Sequence, residues 1–309
     1  MILNLTAGAN CQLCRDGHLS LLFQGNIEST ELVRFSQYAV YGDIYRCNAC
    51  GFVVEEKSHE TDAIIESLTS ENYGGDKIDQ LSLEEKSKAY APLARIIECH
   101  RAISGAQLLD VGANTGIFLN LARTLGAIPF GLEPSLDATK VARSQFDLEI
   151  QNGVIAEIDQ PDAAFDIVTL WDVVEHLYDP VGDLTALRSK LKPGGHIFIS
   201  THDIENVFCR ILGKRNPLLM YAHFYHFSPH TLSRALEIAG FETVGFSYFH
   251  KSWSIRYLLA LFDEFWPGSC VARCARGLTI TISPVEPLSK LRIRFPLNLF
   301  FVAIARRPA

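Results

Sequence analysis

Leu108-Leu109-Asp110-Val111-Gly112-Ala113-Asn114-Thr115-Gly116 is the stretch that decides the fold. Gln107 to Val111 is an apolar run that ends at a glycine, and a helical pattern follows from Gly116 to Leu125. A strand that turns through glycine into a helix is the opening unit of a parallel sheet with helices on its faces. Glycine in the turn permits positive φ and lets a ligand come close to the backbone. Asn114 occupies a place where a second glycine would serve, and asparagine tolerates the left-handed region better than most residues.

Downstream, the same alternation repeats. Strands are expected at Ile128–Leu132, Leu148–Gln151, Phe165–Leu170 and His196–Ser200, with a helix over Leu136–Phe146 and another after Asp179-Pro180. Asp accepts from free amides at a helix start and Pro suits the first helical position. Lys192-Pro193-Gly194-Gly195 stops that helix. A helix over Pro229–Ala239 and strands at Glu242–Phe249 and Leu297–Ala305 complete the pattern. Upstream, apolar residues recur at helical spacing from Leu83 to Ile103, after a polar linker over 59–80 that contains Asn72-Tyr73-Gly74-Gly75-Asp76. Residues 251–290 interrupt the alternation with apolar segments expected to be helical. The class is α/β with a doubly wound sheet.

Open parallel sheets bind ligands at the carboxyl ends of their strands, beside helix N-termini. A dinucleotide fingerprint starting at Gly112 would need glycine at 114 and 117, where Asn114 and Ile117 stand. A phosphate-binding G-x-x-x-x-G-K-[ST] loop is also absent from the sequence. The run fits better the D-x-G-x-G-x-G pattern of S-adenosylmethionine enzymes, whose cofactor carries an ammonium and a sulfonium that suit an acid such as Asp110. Glu133 closes the second strand, 23 residues after Asp110, where a carboxylate can accept both ribose hydroxyls.

Leu108-Leu-Asp-Val-Gly112, Gly131-Leu-Glu-Pro-Ser135, Phe165-Asp-Ile-Val-Thr-Leu-Trp-Asp-Val-Val-Glu-His176, Leu191-Lys-Pro-Gly-Gly195, His226-Phe-Ser-Pro229 and Ala239-Gly-Phe241 occur in that order. Together they resemble the successive motifs of class I S-adenosylmethionine-dependent methyltransferases, over roughly residues 70–250 and the last strand. The resemblance implies a Rossmann-like seven-stranded sheet whose last strand is antiparallel. It places Asp110, Gly112, Asn114 and Gly116 around the methionine end, Glu133 on the ribose, and Trp171 and Asp172 beside the sulfonium. Tyr73 stands where relatives carry a tyrosine over the cofactor. His223 stands four residues before the Phe of Phe-Ser-Pro, where relatives carry a histidine, and is the first candidate for a catalytic base. His176 is the second. Bland alternatives accompany these roles: Trp171 as a core aromatic, Tyr73 as a surface residue, His223 as a loop hydrogen-bonder and His176 as a helix cap. His223, His226 and His230 lie close enough to suggest a metal, but no nearby carboxylate is expected to complete a site.

Near the N-terminus, Cys11-Gln-Leu-Cys14 and Cys47-Asn-Ala-Cys50 form two C-x-x-C pairs with 32 residues between them. Two such turns complete a tetrahedron of thiolates around zinc, and Gly51 suits the tight knuckle after the second pair. Strand-like runs at Leu19–Phe23, Val40–Tyr45 and Phe52–Val54 make residues 1–58 a small β zinc ribbon. The metal supplies folding free energy to a module with little core of its own. A redox pair would need one C-x-x-C in a βαβ context, and iron in a rubredoxin-like site is the less common occupant of such a set. Cys99, Cys209, Cys270 and Cys274 lie in apolar surroundings and are expected to pack as small core residues.

The expected organisation is thus a ribbon over 1–58, a methyltransferase core over 59–250, and a helical insert with the final strand over 251–309. The net charge of −7 argues against nonspecific nucleic-acid binding. Residues 251–309 nevertheless hold nine Lys or Arg against three acids, so an anionic acceptor is one expectation and an unevenly charged surface the plain alternative. A zinc ribbon joined to this methyltransferase type resembles enzymes that modify sugars or small metabolites, so a small molecule, such as a sugar or glycan precursor, is the expected acceptor. Two alternatives are an RNA methyltransferase that docks RNA through the ribbon, and a non-catalytic cofactor-binding protein that docks partners. The sequence shows no secretory signal and no stretch long enough to span a bilayer, so a cytoplasmic enzyme is expected.

Overall fold

A computed structural model describes residues 7–26, 41–56, 83–250, 252–254, 270, 273–274, 277–278, 292–294 and 298–309. Its centre is a seven-stranded sheet. The chain enters it through helix α1 (Leu83–Glu98) and then runs β4 (Gln107–Val111), α2 (Ile117–Thr124), β5 (Ile128–Glu133), α3 (Leu136–Phe146) and β6 (Ile150–Asn152). β7 (Phe165–Trp171), α4 (Pro180–Lys190), β8 (Leu191–His202), α5 (Val207–Leu212) and α6 (Pro229–Ile238) follow, then β10 (Glu242–Phe249) and β13 (Phe300–Arg306). Strand order is β10-β13-β8-β7-β4-β5-β6. β4, β5, β6, β7 and β8 pair in parallel, whereas β13 is antiparallel to both neighbours. That is the expected Rossmann-like arrangement with its last strand reversed.

The alternation of side chains along each strand builds two cores. Leu109, Val168, Leu170, Ile197 and Ile199 face α4 and α6, while Leu108, Ile167, Phe198, Val302 and Ile304 face α1, α2 and α3. α4 starts as its sequence requires, with the Asp179 carboxylate accepting from Gly182 N at 3.0 Å and Pro180 in the first turn. α1 stops at Glu98 instead of reaching Ile103, because Glu98 Oε1 turns back to accept from Ile103 N at 3.0 Å.

The N-terminal module contains β1 (Leu19–Phe23), β2 (Ile44–Cys47) and β3 (Val53–Glu55), joined edge to edge by β9 (Tyr225–His226) from the loop before α6. Val53 pairs with His226, and Glu55 N donates to Phe224 O at 2.9 Å. Cys11, Leu13, Leu19, Tyr45, Phe52 and Val54 belong to the same buried cluster as the α4 and α6 face of the sheet. Phe52 stacks on Tyr225 with ring centroids 5.6 Å apart. The small module therefore buries its apolar side against the larger sheet.

Several expectations are corrected. Cys209 is buried, but Cys99, Cys270 and Cys274 are exposed and form no part of the core. Within the stretch expected to be helical, Ser252–Ser254 is a short strand, β11, paired with β12 (Arg292–Arg294), whereas residues 270, 273–274 and 277–278 are helical as expected. Most of 251–290 lies outside the described residues, as does Tyr73. Among the described residues no helix is long and apolar enough to cross a membrane.

Candidate functional site

β4, β5 and β7 present their carboxyl ends on one edge of the sheet. After β4 the backbone takes positive φ at Gly112 (70°), Asn114 (47°) and Gly116 (76°). A Cβ on Gly112 would stand 2.5 Å from Val173 Cγ2, so the turn closes on the β7 loop only because position 112 is glycine. Asn114 stabilises its own left-handed geometry by accepting from Thr115 N through Oδ1.

Glu133 ends β5 and is almost wholly buried. Its Oε2 accepts from Asn114 N and its Oε1 from Ser135 N, each at 2.8 Å. Both oxygens are thereby fixed, and each keeps a further lone pair directed elsewhere. Asp110 is buried one strand over, where Thr169 Oγ1 donates to its Oδ1 at 2.6 Å. Burial, reinforced by the charge on Glu133, pushes the Asp110 carboxyl up to about 8, against the pull of Thr169. A cation arriving nearby would favour its ionised form.

Trp171 and Asp172 close β7. Trp171 packs edge-on against Phe118 at 5.1 Å, within the core, yet its buried Nε1 has no hydrogen-bond partner. Asp172 has φ 56°, and its Oδ1 accepts from Ser200 Oγ at 3.0 Å. This tie sets the level at which β7 ends beside β8.

Next to this edge lies a group of imidazoles, with His202, His223 and His226 buried and His176 half-buried. His176 sits in a single 3₁₀ turn (Val174–His176) after β7, and its Nδ1 lies 2.7 Å from Ala222 O. His223 Nδ1 lies 2.9 Å from Leu218 O, and the two rings meet edge to face at 4.7 Å. A carbonyl oxygen only accepts, so both Nδ1 atoms carry hydrogen and the lone pair of each neutral ring sits on Nε2. Burial lowers the His176 pKa and keeps that ring neutral. His202, at the end of β8, stacks on His223 at 5.2 Å and places its Nε2 3.1 Å from His226 Nδ1.

The third close neighbour of His223 and His226 is therefore His202, while His230 is exposed on α6. The expectation that no carboxylate approaches these rings is corrected too. Glu175 lies within 4.8 Å of His176 and His223, and the fully buried Glu55 of β3 has Oε2 4.0 Å from His226 Nε2. The sequence motifs assign no role to His202, Glu55 or Glu175, which come from segments far apart along the chain.

In the N-terminal module, Cys11 Sγ lies 3.7 Å from Cys50 Sγ, and Cys14 Sγ lies 3.7 Å from Cys47 Sγ. Four thiolates about 2.3 Å from one tetrahedral zinc stand about 3.8 Å apart, whereas a disulfide needs about 2.05 Å. The donor set and its spacing fit zinc. Arg15 (φ 62°) and Gly51 (φ 75°) turn the two knuckles.

Residues 76–245 match the family profile described as a methyltransferase domain. A ubiquinone biosynthesis O-methyltransferase of Vibrio atlanticus is 33% identical over 113 residues, which are 34% of this chain and 47% of that protein. One of Methylococcus capsulatus is 28% identical over 171 residues, 50% of this chain and 72% of that protein. The chain thus spans about half the length of the first of these relatives. A solved structure from Bacillus halodurans C-125 covers 70% of the chain and 99% of its own at 21% identity, with a TM-score of 0.51. A solved cyclase, SpnF, covers 72% and 83% at 20% identity, with a TM-score of 0.50. These two share the fold, and the cyclase illustrates that the fold alone does not fix the chemistry. The family profile covers more than half of the 309 residues, and the chain belongs to the methyltransferase-domain family, whose cofactor is S-adenosylmethionine.

Proposed function

We propose that this chain transfers the methyl group of S-adenosylmethionine to an oxygen of a small-molecule acceptor. The observation that carries this reading is the carboxylate of Glu133, held at both oxygens by the amides of Asn114 and Ser135 beside the glycine turn. When bound, the cofactor supplies a methyl group activated by its sulfonium. Glu133 accepts from the ribose hydroxyls through its remaining lone pairs. Asp110 provides negative charge toward the methionine end, next to the backbone of Gly112, Asn114 and Gly116. Trp171 and Asp172 border the sulfonium side.

Methyl transfer is an in-line displacement at carbon, so alignment of the acceptor supplies most of the rate. A hydroxyl acceptor must also lose its proton. The Nε2 atoms of His223 and His176 take that role, because each Nδ1 is bonded to a carbonyl. The curated relatives are named O-methyltransferases, which supports an oxygen acceptor. A sugar or glycan precursor is the narrower class we favour, and the nine Lys or Arg against three acids in 251–309 favour an anionic one. Residues 1–58, 59–250 and 251–309 are read as the three units of the chain. Its four N-terminal cysteines are spaced to hold zinc rather than to pair as disulfides, which suits a reducing, cytoplasmic compartment.

Transfer of labelled methyl to catechols, hydroxylated quinone precursors and nucleotide sugars tests the reading. Methyl ethers of one class are expected. Methylation confined to nitrogen or carbon acceptors in a matching panel would overturn the oxygen assignment.

A further inference from the structure

We propose a second metal site, distinct from the four cysteines, in which His202, His223 and His226 hold a borderline divalent cation such as zinc. All three rings are buried, and one ring nitrogen of each lies within 4.8 Å of the other two. His202 Nε2 and His226 Nδ1 are 3.1 Å apart. Two imidazole nitrogens at about 2.0–2.1 Å on one ion stand about 3–3.5 Å apart, so this pair needs little adjustment.

The surroundings match what metal-bound histidines require. A ligating imidazole donates its other N–H to a carbonyl or carboxylate, which fixes the tautomer and aims the lone pair at the ion. His223 does this through Nδ1 to Leu218 O at 2.9 Å, which leaves Nε2 as the ligand atom. His226 presents Nε2 toward Glu55 Oε2 at 4.0 Å, which leaves Nδ1 facing His202. Glu55 is fixed through its other oxygen, which accepts from Gly42 N at 2.7 Å.

The charge balance points the same way. Glu55 Oε2 and His226 Nε2 are both buried and lack hydrogen-bond partners. A carboxyl and an imidazole left so in an apolar core carry a substantial desolvation cost. A dication on His226 Nδ1 makes its Nε2–H a stronger donor toward Glu55 Oε2, so one ion gives both groups a partner. Three imidazoles without thiolate select zinc and its transition-metal neighbours over magnesium or calcium.

Glu55 and its strand β3 belong to the four-cysteine module, while His226 on β9 is paired to that strand. The module thereby acts as the outer wall of the second site. In the metal-loaded chain His223 Nε2 is a ligand and the acceptor's proton falls to His176, whereas in the metal-free chain both rings are placed to take it. The proposal does not depend on methyl transfer, so the metal count and the transfer assay can fail separately.

The test is metal stoichiometry on the full chain without a histidine tag, equilibrated with Zn2+ and freed of excess. Two equivalents are expected in the parent and one in His202→Gln and in His226→Asn, with melting curves reporting on the fold. One equivalent in the parent would overturn the site, as would a second equivalent that both variants retain. If both variants fail to fold, Co2+ titration of the metal-free parent decides. The second equivalent is expected to show visible ligand-field bands without added thiolate charge transfer. A second equivalent that adds thiolate charge transfer would overturn the site.

Discussion

Replacing Glu133 by alanine removes a carboxylate that backbone amides hold and orient in the cofactor cradle. In the parent, Asn114 N and Ser135 N occupy one lone pair on each oxygen at 2.8 Å, and two remain for the ribose. A hydrogen bond to a charged group contributes about 1.5–3 kcal/mol. Without both ribose hydrogen bonds, binding therefore weakens by about 3–6 kcal/mol at most, or about 10²–10⁴ in Kd. The variant also leaves two loop amides without an acceptor, at a cost to folding of about 1–3 kcal/mol for each that water does not reach. Glu133→Gln separates the effects. It keeps the shape and one acceptor oxygen but turns an amino group toward a backbone N–H, so a loss of about 10–100-fold is expected, equivalent to one such bond. Calorimetric titration with S-adenosylmethionine and S-adenosylhomocysteine, alongside thermal melting, measures both. A Glu133→Ala protein that melts as a folded chain and binds within about threefold of the parent would refute the ribose role.

Cys47→Ser should lose the zinc held by Cys11, Cys14, Cys47 and Cys50 and expose the N-terminal module to protease; unchanged metal content by elemental analysis would contradict this. For Asp110 the carboxyl rises from 3.8 to about 8 on folding, so the folded chain binds a proton that the unfolded chain releases. Stability should then fall as pH rises from about 4 to about 8, and Asp110→Asn should flatten that slope in denaturant titrations. A cationic ligand that draws out this proton should bind about tenfold more tightly for each unit that pH rises toward about 8, releasing about one proton in calorimetry in paired buffers. Methylthioadenosine, which lacks the ammonium and sulfonium, should show no such release, and equal release by both ligands would sink the coupling. His176→Ala should lower turnover by about 10²–10⁴ with cofactor affinity nearly intact. The same is expected of His223→Ala, and near-normal turnover in both would remove the paired-imidazole account of the proton.

The sheet was legible because its signals are local. Leu108 and Leu109 alternate onto opposite cores, Asn114 takes the left-handed geometry its side chain tolerates, and Asp179-Pro180 starts a helix where both residues prefer to be. The four cysteines were legible for the same reason, since each knuckle is written within four residues. The end of β8 was not. Lys192-Pro193-Gly194-Gly195 reads as a stop, yet the chain pairs with β7 on both sides of it, with a register shift between Phe165 and Ile167, and continues to His202. That extension carries a polar Ser-Thr-His end which no apolar period announces. The buried imidazoles were equally hidden. His202, His226, Glu55 and Glu175 lie on β8, β9, β3 and the loop after β7, and only tertiary pairing brings them together. Glu55 is the sharpest case, because an acid that ends a short strand reads as a solvated residue until β9 covers it.

A crystal structure of the chain with S-adenosylhomocysteine tests the cofactor cradle most directly. Both ribose hydroxyls are expected within hydrogen-bond distance of the Glu133 carboxylate, the amino-acid end beside Gly112 and Asn114, and the sulfur facing His176 and His223. A ligand bound elsewhere, or one in this cradle whose ribose does not touch Glu133, would contradict it.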